Sequence, residues 1–189
     1  MSIIVDGTGS GYRAAVDSEN RLKTDAVVED AFVHAAENGR AFNINTFELD
    51  ISGSSPFAKP LLYVKNNGTT ELEMVGWFIG ERGNRTGSDT TTPILFEMYG
   101  SPTGTASGTD VPVVNRRIGD PRVFDLECLA LPTGLSTSGS PLLYQYHYGG
   151  RAFGTVNFTV PAGASIVISA NFACDSASLY TGFTGYVGE

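Results

Sequence analysis

The chain has 189 residues, with 12 Lys and Arg against 20 Asp and Glu, giving a formal net charge of −8. That balance opposes non-specific nucleic-acid binding, which works by neutralising phosphates with cations, and no apolar run is long enough to cross a bilayer as a helix. Aromatics at 11%, 23 glycines and only 17% charged residues argue against a helix bundle and for a turn-rich sheet protein, in a chain long enough for one domain with a real core.

The start, MSIIVDGTGSG, lacks the basic residues and long apolar stretch of a signal peptide, so the expectation is a protein made in a cytosol. Met1 to about Lys23 reads as an arm: Ile3-Ile4-Val5 is short, residues 6–11 are glycine-rich, and Tyr12 to Val16 fits a strand. The glycines lack the preceding buried strand, following helix and Lys-Ser/Thr ending of a phosphate loop. Such an arm becomes ordered by docking on a neighbour or lying along a sheet. Asp25 to Gly39 fits a helix capped by Asp25 and stopped by Gly39, with Val27-Val28, Ala31-Phe32 and Ala35-Ala36 at helical spacing. It fits an extended path equally well in its β-rich context.

From Phe42 the pattern is sheet. Phe42 to Ile44 and Phe47 to Ile51 alternate, and Gly53 to Pro56 breaks the chain. Leu61 to Gly80 then gives the strongest hairpin signal, two apolar runs flanking Asn66-Asn67-Gly68-Thr69-Thr70. A two-residue Asn67-Gly68 loop sets Leu62 and Val64 beside the glutamates. A longer loop from Asn66 to Thr70 pairs them with Met74 and Leu72, and is preferred because it leaves Glu71 and Glu73 wet. Trp77 then shares the glutamates' face and points away from the core. Beyond Met74 the second run is apolar on both faces, which requires cover on both sides, from the domain itself or from a partner.

Glu81 to Thr92 reads as a polar loop, Pro93 to Tyr99 as a strand, Val111 to Val114 as a short strand, Val123 to Leu131 as a strand and Pro132 to Ser140 as a loop. Pro141 to Tyr148 and Phe153 to Val160 form a second predicted hairpin across Gly149-Gly150, with Tyr146 facing Phe153. Ser165 to Phe172 and Leu179 to Val187 complete the set. About eight to ten strands at hairpin spacing predict an all-β chain, an antiparallel β-sandwich of jelly-roll type: residues 1–24 as an extended N-terminal arm and 25–189 as one domain.

Groups for chemistry are sparse. His34 and His147 are the only histidines, and no G-x-S-x-G elbow, H-E-x-x-H pair or calcium-loop spacing is present. Asp125 and Glu127 share a strand face, an arrangement that also occurs on any wet sheet. Cys128 and Cys174 fall at apolar strand positions, as small buried hydrophobes or as a disulfide across facing strands. The sequence therefore predicts no enzyme, no catalytic residues, no cofactor and no metal. Tyr144, Tyr146 and Tyr148, with Trp77, form a candidate sugar-stacking set, on the strand face that also carries Leu142. The plainer alternative, that the tyrosines are the core side of their strand with Gln145 and His147 wet, is preferred. Protein assembly is the other surface function, carried by Ile3, Ile4, Val5 and Tyr12 of the arm and by Val75, Trp77 and Ile79 of the doubly apolar run.

The phrases DGTGSGYRAAVDSENRLKT, ENGRAFNINTFELDIS, PLLYVKNNGTTELEMVGWFIG and VPAGASIVISANF cover about half the chain. In their order the sequence resembles the head-decoration (capsid cement) proteins of tailed bacteriophages. The resemblance implies a non-enzymatic β-sandwich on the capsid surface of a virion, made in the host cytoplasm. It implies bridging of neighbouring major capsid protein subunits, often as a homotrimer. It also tilts residues 25–39 towards an extended path. The alternatives are a tail, fibre or baseplate component, or a carbohydrate-binding module.

Overall fold

The computed structural model describes residues 31–189, apart from 55, 83–84, 88–89 and 189. Before residue 31 it describes only the backbone of three short strands, β1 (Ile3–Val5), β2 (Arg13–Val16) and β3 (Leu22–Lys23). The chain divides into two units, 1–30 and 31–189. In the first, β1, β2 and β3 pair antiparallel in that order, so the segment read as an arm carries a small sheet of its own.

The second unit opens with α1 (Ala31–Glu37), so of the two paths the sequence allows this part of the stretch takes the helical one, against the tilt that the resemblance implied. Gly39 stops the helix at φ +67°, a conformation glycine adopts without strain. The Gly39 N–H donates to the Ala36 carbonyl at 3.1 Å and the Arg40 N–H to that of Ala35 at 2.7 Å. Ala35 is buried, and the Phe32 ring lies 6.2 Å from that of Tyr186 with the Arg116 guanidinium 4.8 Å over it. The expected Asp25 cap lies outside the described residues.

Two six-stranded antiparallel sheets follow. Sheet I has the order β10 (Val113–Asn115), β4 (Ala41–Asn45), β15 (Ser176–Val187), β7 (Leu72–Glu81), β13 (Arg151–Val160), with β5 (Leu49–Ser52) continuing the β4 edge along β15. Sheet II runs β12 (Leu143–His147), β8 (Ile94–Gly100), β14 (Ser165–Phe172), β6 (Phe57–Asn66), β11 (Leu126–Ser136), β9 (Thr103–Asp110). The chain changes sheet from β5 to β6, β6 to β7, β7 to β8, β9 to β10, β10 to β11, β12 to β13, β13 to β14 and β14 to β15. The resulting orders, β4/β5-β15-β7-β13 against β12-β8-β14-β6, are those of a jelly roll, with β9 to β11 inserted after β8. The shared core includes Phe42, Ile44, Leu62, Val64, Met74, Phe96, Met98, Phe172 and Phe183, all buried.

Both predicted hairpins are corrected. β6 pairs with β11 and β14 and β7 with β13 and β15, so the stretch from Leu61 to Gly80 is an arch that crosses from one sheet to the other. Neither Asn67 nor Gly68 has the positive φ that a two-residue hairpin turn needs. The arch is held instead by the buried side chain of Asn66. Its Nδ2 donates to the carbonyls of Thr70 (2.8 Å) and Val160 (3.0 Å), and its Oδ1 accepts from the Gly68 N–H at 3.0 Å. Leu62, Val64, Leu72 and Met74 share one core, as the longer loop requires, but they meet across the sandwich and not as ladder partners. Likewise β12 pairs with β8 and β13 with β7, so Gly149 and Gly150, at φ +112° and +78°, carry the chain between sheets.

Candidate functional site: two aromatic faces and a buried ion pair

β7 is the strand expected to bind a partner, and a bulge decides which of its residues are available. Gly76 pairs with Thr184 and Met74 with Gly185, so one step of β15 spans two of β7 and Val75 is the extra residue. The extra residue reverses the alternation. Leu72 and Met74 face inward before it, and Trp77 and Ile79 face inward after it, joining the same core. Trp77, placed outward by constant alternation, is only 6% exposed and covers Gly154 on β13. Trp77 and Ile79 are thus corrected to core residues. Val75 is half-buried at the bulge. Ile3, Ile4 and Val5 form β1, while Tyr12 lies outside the described residues.

The residue between Trp77 and Ile79 takes the outward position. Phe78 lies on the outer face of sheet I, 6.1 Å from the Tyr180 ring and 6.4 Å from that of Phe153, which is 71% exposed. The rings pack flat because glycines lie under them: a Cβ at Gly182 would collide with Phe78, and one at Gly80 with Tyr180. The Arg151 guanidinium sits 5.5 Å over the Tyr180 ring, and its Nε donates to the Tyr180 hydroxyl. Three strands therefore present a continuous aromatic patch with one cation.

Sheet II carries the second face, where the preferred reading is reversed: the tyrosines are outward and His147 is inward. In the β12–β8 ladder Gln145 opposes Phe96 and His147 opposes Ile94, both core residues, while Tyr144 opposes Glu97 and Tyr146 opposes Leu95. Tyr144 and Tyr146 are 52% and 48% exposed, with rings 5.5 Å apart and nearly perpendicular. Beside them the Asn171 amide donates to Glu97 Oε2 at 2.6 Å. Burial and then a hydrogen bond to Glu97 raise the pKa of Tyr99.

His147, 3% exposed, belongs to a charged cluster that the sequence did not reveal. Arg85, in the loop expected to be too polar for core, binds Glu81 in a bidentate pair, Nε to Oε1 at 2.7 Å and Nη2 to Oε2 at 2.8 Å. Both side chains are over nine-tenths buried. Arg85 also donates to the carbonyls of Thr92 and His147, tying the loop to the end of β12. His147 Nε2 has no hydrogen-bond partner and lies 3.9 Å from Glu81 Oε2. Burial lowers the His147 pKa, Arg85 adds to the effect, and the Glu81 charge and a hydrogen bond to the Gly150 backbone oppose it.

Cys128 and Cys174 are free and buried, as small hydrophobes. Burial, with the Glu127 charge second, pushes the Cys128 thiol up to about 12, and burial also raises Cys174. Neither is poised as a nucleophile. Among the described residues no group of three His, Cys, Asp or Glu is placed to hold a metal ion, and no helix is long and apolar enough to cross a membrane.

No protein-family model matches the chain, and no curated protein matches it. Among solved structures it is similar to the crystal structure of infectious bursal disease virus VP2 subviral particle, at 10% identity over 78% of this chain and 41% of that one, with a TM-score of 0.21. The chain thus spans well under half the length of the solved chain it matches, and a TM-score of that size carries no argument about fold or role.

Proposed function

We propose that this protein is a non-enzymatic virion component that sits on the capsid surface of a tailed phage and bridges major capsid protein subunits, as a homo-oligomer, with a trimer favoured. The observation that carries this reading is the patch of Phe78, Phe153 and Tyr180 beside Arg151, spread over three strands of sheet I with Phe153 largely exposed. Aromatic side chains and arginine supply most of the energy of protein interfaces when they are desolvated centrally in a contact. Many copies on a lattice make modest affinity per contact sufficient. The sequence resemblance to capsid cement proteins supplies the occupant of the patch, a capsid subunit. The buried thiols and the internally paired Glu81 and Arg85 fit a structural role better than a reactive one.

The test is rebinding to stripped capsids, read by co-sedimentation. Phe153→Ser combined with Arg151→Glu is expected to weaken rebinding at least about tenfold, the loss of one hot-spot contact, with little change in melting temperature. Unchanged rebinding refutes the patch as the docking surface. Recovery of the protein with tails and not heads would favour a tail, fibre or baseplate role.

A further inference from the structure

We propose that the β12 edge of sheet II is a binding site for a neutral pyranose sugar. Tyr144 and Tyr146 supply the stacking surface, and the Glu97–Asn171 pair supplies the polar anchor. Sheet register places these groups together: Tyr146, Leu95 and Asn171 form one row across β12, β8 and β14, and Tyr144, Glu97 and Ser169 form the next. The tyrosines stand half-exposed on an edge strand, their rings 5.5 Å apart and turned 84° to one another.

A cleft of about 390 Å³ opens beside Tyr146, walled by Phe57, Pro93, Leu95 and Phe172 with Asn171 at its polar side. That volume is within the range of small-ligand sites, and its lining has the usual makeup of apolar walls with few polar groups. The apolar C–H face of a pyranose fits the aromatic wall. Its hydroxyls can donate, and the anchor offers acceptors: Asn171 and Tyr99 already hydrogen-bond Glu97, leaving the Asn171 amide oxygen and the remaining lone pairs of the carboxylate to receive hydrogen bonds. The carboxylate also sets specificity. An anionic sugar or a phosphate would face Glu97 with like charge, so the ligand is a neutral hexose, free or at the end of a surface glycan. The outer face of sheet I differs in this respect, since its patch carries Arg151 over Tyr180. The two faces are on opposite sheets, so failure of one assignment leaves the other standing.

The test titrates the full chain with the methyl α- and β-glycosides of glucose, galactose and mannose, and with the methyl glycoside of N-acetylneuraminic acid, by ligand-observed NMR. At least one neutral glycoside should bind with a Kd of roughly 0.1–10 mM, weak as expected for a one-ring ligand. Tyr146→Ala should weaken it at least about tenfold, Tyr146→Phe should retain most of it, and Phe153→Ala should leave it unchanged. The proposal is overturned if no neutral glycoside binds at about 100 mM, if Tyr144→Ala and Tyr146→Ala both leave binding intact, or if the sialoside binds as well as the neutral sugars. Binding to a glycan array together with the free glycosides would assign a surface glycan; binding to the free glycosides alone would assign a soluble sugar.

Discussion

His147 shows how one side chain links the fold to pH. It lies 3.9 Å from Glu81, beside the Arg85 guanidinium and edge-on to the Phe96 ring, and its Nε2 is buried without a hydrogen-bond partner. Its pKa in the folded state is lowered, first by burial. The unfolded chain therefore binds the proton more readily than the folded one, and stability rises with pH across that window. The contribution is fully present above the ordinary histidine value of about 6.5 and is lost as pH falls below it towards the folded value. Melting temperature should drop between pH 7.5 and 5.5 in the native protein, and His147→Gln should flatten that part of the profile. A native profile that is level or rises on acidification would show that His147 is not held neutral. Alternation had placed Gln145 and His147 opposite the tyrosines, and so they are. Which set faces inward is a sign that periodicity lacks and that the partner strand β8 supplies.

At the scale of the element, β7 carries the largest correction. Strict period-2 reading puts Glu71, Glu73, Val75, Trp77 and Ile79 on one face. One bulged residue moves Trp77 and Ile79 to the other, and no local pattern marks that slip. Trp77→Ala should therefore act as a core deletion, costing about 3–5 kcal/mol of folding stability, while a folded fraction at low temperature still rebinds capsids. Chemical denaturation measures the first part, and a loss under about 1 kcal/mol would return Trp77 to the surface. The two arches carry the signature of a hairpin for a related reason. Asn-Gly and Gly-Gly between apolar runs mark a reversal of the chain, but not whether the second run pairs with the first or crosses to the facing sheet. The buried Asn66 amide and the positive φ of Gly149 and Gly150 make the crossings. The polar strand β9 and the distal half of β11 carry no strand signal in the sequence because Thr, Gly and Ser lie exposed along them, so neither shows the apolar alternation of a half-buried strand.

For the whole molecule, the jelly roll was open to sequence reading because its core strands repeat apolar residues at short, regular spacing. The partner surface was less so, since exposure is a property of the assembled sheet. Its division of labour leads to the last prediction. Every residue of the main buried cluster lies between Phe42 and Phe183, inside the unit 31–189, so that unit has its own core and is expected to fold without residues 1–30. Among its described residues the first unit carries a three-stranded sheet of short strands, β1 to β3, which is marginal as an independent structure. By the proposed function its apolar strand, Ile3-Ile4-Val5, is completed by a capsid subunit, and the aromatic patch of sheet I adds a second contact. Two linked weak contacts bind far more tightly than either alone. Deleting residues 1–30 should leave cooperative unfolding at nearly the same melting temperature, yet reduce capsid rebinding by about 10²-fold or more, the usual scale of lost avidity. Full decoration by the truncated chain would assign attachment to the jelly roll alone. Loss of cooperative unfolding would show that residues 1–30 complete the fold of the sandwich itself.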